Sequence, residues 1–192
     1  KYTIPVASKS NQLKGITFSE RDFSVNSKAQ NAIHLFIPPN EDFEKLPKVC
    51  QRYIEYGERQ GFNTGYKTRI RKRWYITPSL WVPDAFALRQ VGVYPKLILN
   101  ETGASSTDTI HRVRFKEEVN RDMAAISFLN SLSFAFSEIT GRSYGGGVMT
   151  FEPTEIEEIQ IPVLSDLDIE FDQVDALIRQ RKIEKVLDMV DD

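Results

Sequence analysis

Apolar residues open the chain in short clusters, Tyr2–Val6 and Leu13–Phe18, each hemmed by polar residues and too brief for a helix. That pattern predicts short strands joined by loops. Ala32–Ile37 is a longer apolar run closed by Pro38-Pro39, which offer no N–H to a ladder, and it predicts another strand. Between Pro47 and Arg59 the period becomes helical: Val49, Cys50, Tyr53 and Ile54 share a face, Pro47 suits the first turn, and Gly61 suits the C-terminal cap. From Gly65 to Asn100 the apolar runs are short again and separated by prolines, so Trp74–Thr77, Ala85–Gln90 and Lys96–Leu99 are predicted strands. Thr109–Phe115 alternates, with Thr109, His111, Val113 and Phe115 on one face and Ile110, Arg112 and Arg114 on the other.

Arg121 to Ile139 is apolar nearly all round (Met123, Ile126, Phe128, Leu129, Leu132, Phe134, Phe136), which predicts a buried helix ending at Gly141. Arg142–Gly147 then reads as a loop into a short strand, Val148–Phe151. Pro153–Glu158 fits a single helical turn, and Ile159–Val163 an extended stretch through Pro162. Asp166–Val190 predicts a long C-terminal helix, with Leu167, Phe171, Val174 and Ile178 at near-heptad spacing that slips after Ile178. The sum is an α+β fold: a twisted, mainly antiparallel sheet with a buried helix and a long C-terminal helix. We divide it into lead-in strands (residues 1–40), a central domain (41–164) and an acidic helix (165–192).

Composition narrows the class. With 192 residues, 41% hydrophobic and 27% charged, the chain has the balance of a globular protein rather than a disordered one. It shows no apolar run long enough for a bilayer, and no signal peptide over Lys1–Asn11. A single Cys50 excludes an internal disulfide, and one Cys with two His gives no zinc set; a reducing cytoplasm is the expected compartment. Starting at Lys1 without Met, the chain reads as a piece of a longer protein. The net charge of −2 conceals a strong asymmetry. Residues 1–149 hold 21 Lys and Arg against 14 Asp and Glu, a net of +7, and residues 150–192 hold 4 against 13, a net of −9. A basic body with an acidic, solvated or protein-facing tail is the expectation.

Three stretches carry candidate chemistry. Arg59–Arg73 holds six basic residues (Arg59, Lys67, Arg69, Arg71, Lys72, Arg73) and no acidic one, beside Tyr66, Trp74 and Tyr75. Were Thr68–Trp74 extended, Arg69, Arg71 and Arg73 would point one way about 6.6–6.8 Å apart. That spacing suits a run of phosphates, and a single arginine could instead grip guanine; an exposed basic face, or arginines paired with the acidic tail, would look the same. Ser105-Ser106-Thr107-Asp108-Thr109 running into His111-Arg112 offers donors and acceptors for base edges. Equally, Asp108 can simply close a turn and His111 can be a satisfied core histidine. In Arg142-Ser143-Tyr144-Gly145-Gly146-Gly147 the glycines allow a close backbone approach, or merely a flexible connection.

The motifs also occur in a distinctive order. Tyr66-Lys67-x-Arg69-x-Arg71-x-x-Trp74-Tyr75 is followed by Pro95-Lys96-Leu97-Ile98-Leu99-Asn100 and by Thr107-Asp108-Thr109-Ile110-His111-Arg112-Val113. Asn130-Ser131-Leu132, Glu138-x-x-Gly141-Arg142-Ser143-Tyr144-Gly145-Gly146-Gly147, Phe151-Glu152-Pro153-x-Glu155 and Ile161-Pro162 complete the series. Over about Leu46–Val163 this resembles the C-terminal target-recognition region of N6-adenine DNA methyltransferases of restriction–modification systems. The closing layout is also similar to target-recognition domains of type I specificity subunits.

The resemblance implies an N-terminal catalytic domain elsewhere in the protein that binds S-adenosylmethionine, flips the adenine and methylates it, while this part clamps duplex DNA. It implies DNA-facing roles for Lys67, Arg69, Arg71, Trp74, Thr107 to His111 and Arg142 to Tyr144, to which their neighbours Lys72, Arg73, Arg112 and Gly145 are added. Duplex DNA and the chain's own catalytic domain are the implied partners, with room for specificity or restriction subunits and none for a membrane. The chain itself lacks a cofactor loop, and Ile37-Pro38-Pro39-Asn40 lacks the polar residue before and the aromatic after that an adenine-holding motif needs. No catalysis, bound cofactor or metal is expected of this part alone. Three rivals stand beside DNA recognition: subunit docking through the acidic helix, a nuclease built on Asp84 and Glu101, and a domain that braces the catalytic one.

Overall fold

The computed structural model describes residues 1–162 and 168–191. In chain order the strands are β1 (Thr3–Ala7), β2 (Thr17–Phe18), β3 (His34–Phe36), β4 (Ala85–Leu88), β5 (Gln90–Val91), β6 (Leu97–Asn100), β7 (Ser105–Ser106), β8 (Ile110–Val113), β9 (Arg142–Tyr144) and β10 (Val148–Thr150). The helices are α1 (Glu20–Lys28), α2 (Lys48–Arg59), α3 (Tyr66–Arg69), α4 (Arg121–Ser127), α5 (Ser131–Thr140), α6 (Pro153–Glu157), α7 (Phe171–Arg179) and α8 (Ile183–Val190). The fold is α+β, and it forms two compact units: residues 1–5 with 34–81, and residues 6–33 with 82–192. Among the described residues no helix is long and apolar enough to cross a membrane.

In the smaller unit, Thr3–Pro5 pairs antiparallel with β3, and α2 lays Cys50 and Ile54 with Leu46 into a small core edged by Tyr2, Phe36, Phe43, Trp74 and Tyr75. The shared face expected of α2 divides here. Cys50 and Ile54 are buried, whereas Val49 and Tyr53 turn outward, each more than half exposed. Gln51 is also buried and donates to the carbonyls of Phe43 and Leu46.

The larger unit is built on a four-stranded sheet of order β2-β6-β4-β8, antiparallel except for β2 beside β6. Period-two alternation gives each face its own core. Ala85, Ala87, Leu97 and Leu99 meet Ala125, Phe128, Phe151 and Ile159, while Phe86, Ile98, Phe18 and Ile110 meet Ala7, Leu13 and Ala104. A second sheet, β5-β10-β9, is wholly antiparallel, and Val6–Ala7 pairs parallel with β7. The strands therefore form several small ladders rather than one sheet.

Helices account for the other departures from the sequence reading. The segment read as strands and loops before Ser27 contains α1, started by a capping box in which the Ser19 N–H donates to Asp22. The helix expected over Arg121–Ile139 is two. The first ends at Ser127 with Phe128 as its C-cap. Asn130 caps the second by accepting from the Ser133 N–H at 2.9 Å, and α5 leaves Leu132 and Ile139 exposed. The long C-terminal helix is likewise two, divided where Arg181 takes φ +61°. Its N–H meets Ile178 O and the next N–H meets Leu177 O, a Schellman closure without its usual glycine. The expected extension to Val163, the helix start at Asp166 and Leu167 lie outside the described residues. The tail's apolar stripe (Val174, Ile178, Val186, Val190) packs within its own unit on Ile16, Ile126 and Leu129.

Candidate nucleic-acid interface

The basic stretch lies in the smaller unit. The row of arginines expected from an extended Thr68–Trp74 is not formed, and Trp74–Thr77 is not a strand. The Thr68 hydroxyl donates to Gly65 O at 2.9 Å and Phe62 O at 3.0 Å, winding Tyr66–Arg69 into the single turn of α3. Side chains that follow then pin the loop from within. Arg73 donates to Asp42 Oδ1 and Asn40 Oδ1, both at 2.7 Å, and Asp42 is held below the usual carboxylate range by that guanidinium. Trp74 donates from Nε1 to Glu58 at 3.0 Å and lies so close to Gly57 that a Cβ there would approach its ring to 2.7 Å. Tyr75 donates to Glu41 O, and Arg71 to Ile76 O. Arg73 and Trp74, two expected DNA contacts, are thus structural anchors. Lys67, Arg69 and Lys72 remain exposed, with Tyr66 and Ile70 beside them.

The sequence reading placed Tyr53 on the core face and missed the surface that results. Phe36, Tyr53, Tyr56 and Phe62 form a chain of ring contacts, with centroids 4.7, 6.2 and 6.4 Å apart, along the outer face of α2 beside exposed Arg52 and Arg59. The spacing of Val49, Tyr53 and Tyr56 (i, i+4, i+7) carried the signal. This unit holds 10 Lys and Arg against 5 Asp and Glu, a net of +5, and 10 of the chain's 21 aromatic residues. The larger unit has 15 against 22, a net of −7.

The other two stretches belong to the larger unit. Around Thr107 the hydroxyls serve the turn. Thr107 and Thr109 both donate to Ser8 O, at 3.0 and 3.2 Å, and buried Ser106 donates to Ile110 O. Half-buried His111 gives its Nε2 proton to Phe151 O at 2.8 Å, as a core histidine would. Asp108 is exposed and close enough to Arg89 to act on its charge, and Arg112 is half buried.

Arg142–Gly147, expected as a loop, is a β-hairpin: β9 pairs with β10 through Gly145–Gly147, where Gly146 and Gly147 take φ +91° and +75°. Arg142 donates from Nε to Glu155 at 2.5 Å, and Glu155 also accepts from the Glu152 N–H, so the carboxylate that caps α6 holds the guanidinium. Glu152 pairs with Arg89 at 2.6 Å. Arg89, Gln90, Tyr144, Val148, Thr150 and Glu152 line a concavity of about 540 Å³. Sequence reasoning missed Arg89, Gln90 and Glu152, because only the strand register brings them beside the hairpin.

The described residues place Gly145, Gly146 and Gly147 in the turn of the β9–β10 hairpin. Their glycine-rich turn joins two antiparallel strands, with no helix N-terminus behind it to meet an anionic group. Among them no His, Cys, Asp and Glu cluster could hold a metal. The two carboxylates considered for a nuclease are engaged separately, Asp84 by the Phe115 N–H at 3.0 Å and Glu101 by Arg121 at 3.3 Å.

Comparison with known proteins places this architecture. The chain is 23% identical over 167 residues to the type II methyltransferase M.AccI of Acinetobacter calcoaceticus, covering 82% of this chain and 29% of that protein. It is 24% identical over 128 residues to the type II methyltransferase M.XamI of Xanthomonas campestris pv. amaranthicola, covering 66% of this chain and 24% of that protein. It therefore spans less than a third of the length of either curated relative. The family model for the C-terminal domain of the type II methyltransferase M.Eco57I matches residues 1–192. The chain belongs to the M.Eco57I C-terminal domain family of type II methyltransferases.

Proposed function

We propose that this domain recognises duplex DNA sequence-specifically, as the non-catalytic C-terminal part of an N6-adenine DNA methyltransferase of a restriction–modification system. The observation that carries the reading is the smaller unit, whose net charge of +5 and exposed aromatic side chains Tyr53, Tyr56, Phe62 and Tyr66 accompany the exposed Lys67, Arg69 and Lys72. A basic, aromatic-rich surface of this kind meets a phosphate backbone and planar bases. The adenine N6 target rests on the ordered motifs from Tyr66 to Pro162. On this reading S-adenosylmethionine and the flipped adenine are held by the rest of the protein, in the cytoplasm, and that catalytic part is the nearest partner. All the candidate DNA-contacting residues fall within residues 41–164. Lys67, Arg69, Lys72, Asp108, Arg112, Arg142, Ser143, Tyr144 and Gly145 remain the proposed contacts, with Arg71 supporting the loop they occupy.

The test is selection of bound duplexes from a randomised pool by the 192-residue chain, at low and moderate salt. Enrichment of a short consensus containing adenine is expected. Changing Arg69 and Lys72 together to Ala is expected to weaken binding to every duplex and to flatten the salt dependence of log K by about 1.8, at roughly 0.9 per phosphate contact. No binding even at low salt refutes the proposal.

A further inference from the structure

The register of the β5-β10-β9 sheet places Gln90, Thr150 and Arg142 in one cross-strand row. Neighbours in such a row share a face, as do residues two apart along a strand, so Tyr144 and Val148 join them. Thr150, between Gln90 and Arg142, is buried, and Gln90, Arg142 and Tyr144 are the exposed members of this face. The opposite face carries Val91 and Met149, which pack into the core. We infer that the outward face of this sheet reads base edges in the major groove of duplex DNA, with Arg142 on a guanine and Gln90 on an adenine; the inference rests on the DNA-recognition reading above.

The hydrogen bonds around Arg142 argue for a reading role rather than simple charge. Glu155 engages Nε, which leaves the two terminal nitrogens as a fork, and the bond from the Glu152 N–H fixes Glu155 in turn. A guanidinium fork held from behind matches guanine O6 and N7, and a side-chain amide matches adenine N6 and N7. The Gln90 amide and the Tyr144 hydroxyl make no hydrogen bond among the described residues, and Tyr144 is 56% exposed. Two strand spacings separate Gln90 from Arg142, about 10 Å, which is roughly three steps of 3.4 Å along a duplex. The β9–β10 ribbon also has the width that a major groove admits. At its tip a Cβ on Gly145 would meet nothing within 4 Å, and Gly145 is not among the glycines with positive φ. The chain's own packing therefore makes no demand for glycine there, whereas close approach of a ligand would.

The experiment repeats the duplex selection and salt titration with Arg142→Ala, Arg142→Lys and Gln90→Ala, each checked for an unchanged circular dichroism spectrum. Both Arg142 variants are expected to lose preference at one G·C position, by roughly ten- to hundred-fold, and Arg142→Lys to keep the parent's salt slope. Gln90→Ala is expected to relax an A·T position two or three base pairs away. A phosphate contact would behave differently: lysine would restore binding, and alanine would weaken all sequences alike while flattening the slope by about 0.9. That outcome, or a consensus unchanged in all three variants, overturns this inference and leaves DNA recognition standing. Absence of any consensus with the unaltered chain overturns both.

Discussion

Replacing Arg179 by Met removes the side chain that ties the C-terminal helices to the start of the larger unit. Its guanidinium donates to Asp22 at 2.6 and 2.9 Å, to Asp175 at 2.5 Å and to Thr17 O at 3.0 Å. Asp175 in turn accepts from the N–H groups of Ile16 and Thr17. Methionine keeps the apolar stem and deletes only the donors. Asp22 and Asp175 have side chains 10% and 15% exposed, so they are left largely desolvated, although each retains its backbone partners. Removing one member of a buried ion pair costs about 3–5 kcal/mol, and the retained N–H donors argue for the lower end, about 3 kcal/mol. With a urea m-value of about 2 kcal/mol/M, the unfolding midpoint followed by circular dichroism should fall by about 1.5 M.

Acid provides a second readout of the same substitution. Burial pushes the Asp22 carboxyl up, but Arg179 and the Ser19 donors outweigh it and hold it below the ordinary range. Stability from a depressed carboxylate is complete above its unfolded pKa of about 3.9 and is lost as pH falls through the folded value. The gap between parent and variant should therefore narrow on going from pH 7 to pH 3. A midpoint shift equivalent to less than about 1 kcal/mol, the usual worth of a solvent-exposed pair, would refute the argument that this network anchors the tail.

Arg181→Gly should stabilise the chain by about 0.5–1 kcal/mol in the same urea assay, since its φ of +61° costs an L residue and not glycine, whereas Arg181→Ala should be neutral. Burial pushes Lys96 down to about 8, even though its Nζ donates to Leu13 O and Lys14 O. Between pH 8 and pH 10 the unfolded chain then binds the extra proton, so stability should rise from pH 7.5 to 9.5, and Lys96→Met should abolish that rise. Deleting residues 171–191 should unfold the larger unit, because it strips Val174, Ile178, Val186 and Val190 from Ile16, Ile126 and Leu129. A folded, monomeric product by circular dichroism and sedimentation would instead favour a detachable docking tail.

Legibility in the sequence followed period and punctuation. β4, β6 and β8 were readable because alternation or a proline-bounded apolar run marks them, and α2 because Pro47 and Gly61 bracket it. Its outward face was misread since Tyr53 is apolar enough for a core, and only the depth of the packing on Cys50 and Ile54 decides which side is buried. The breaks at Asn130 and Arg181 were hidden for a related reason. Asparagine within an apolar helical pattern gives no sign that it will cap a new helix, and arginine gives none that it will accept a left-handed conformation. At the candidate site the residue types were visible but their partners were not. Arg69 and Arg73 look alike in sequence, yet Asp42 and Asn40, more than 30 residues before Arg73, make it an anchor.

The same contrast sets the exposed Arg69 and Lys72 of the smaller unit against the paired arginines of the larger. Arg69 and Lys72 project from a +5 unit, and Arg69, Lys72 and their neighbour Tyr66 are exposed. In the −7 unit Arg89, Arg121, Arg142 and Arg179 are each committed to a carboxylate. A cation that already has a counter-charge gains little from a phosphate, because it must give up one anion to take another. A fork whose orientation is fixed by that counter-charge can still discriminate between base edges, which are neutral and demand direction rather than charge. On the proposed reading, sequence-independent affinity therefore resides in the smaller unit and base discrimination in the larger. A domain so divided can change its target by altering a few side chains on one sheet face without losing its hold on the duplex.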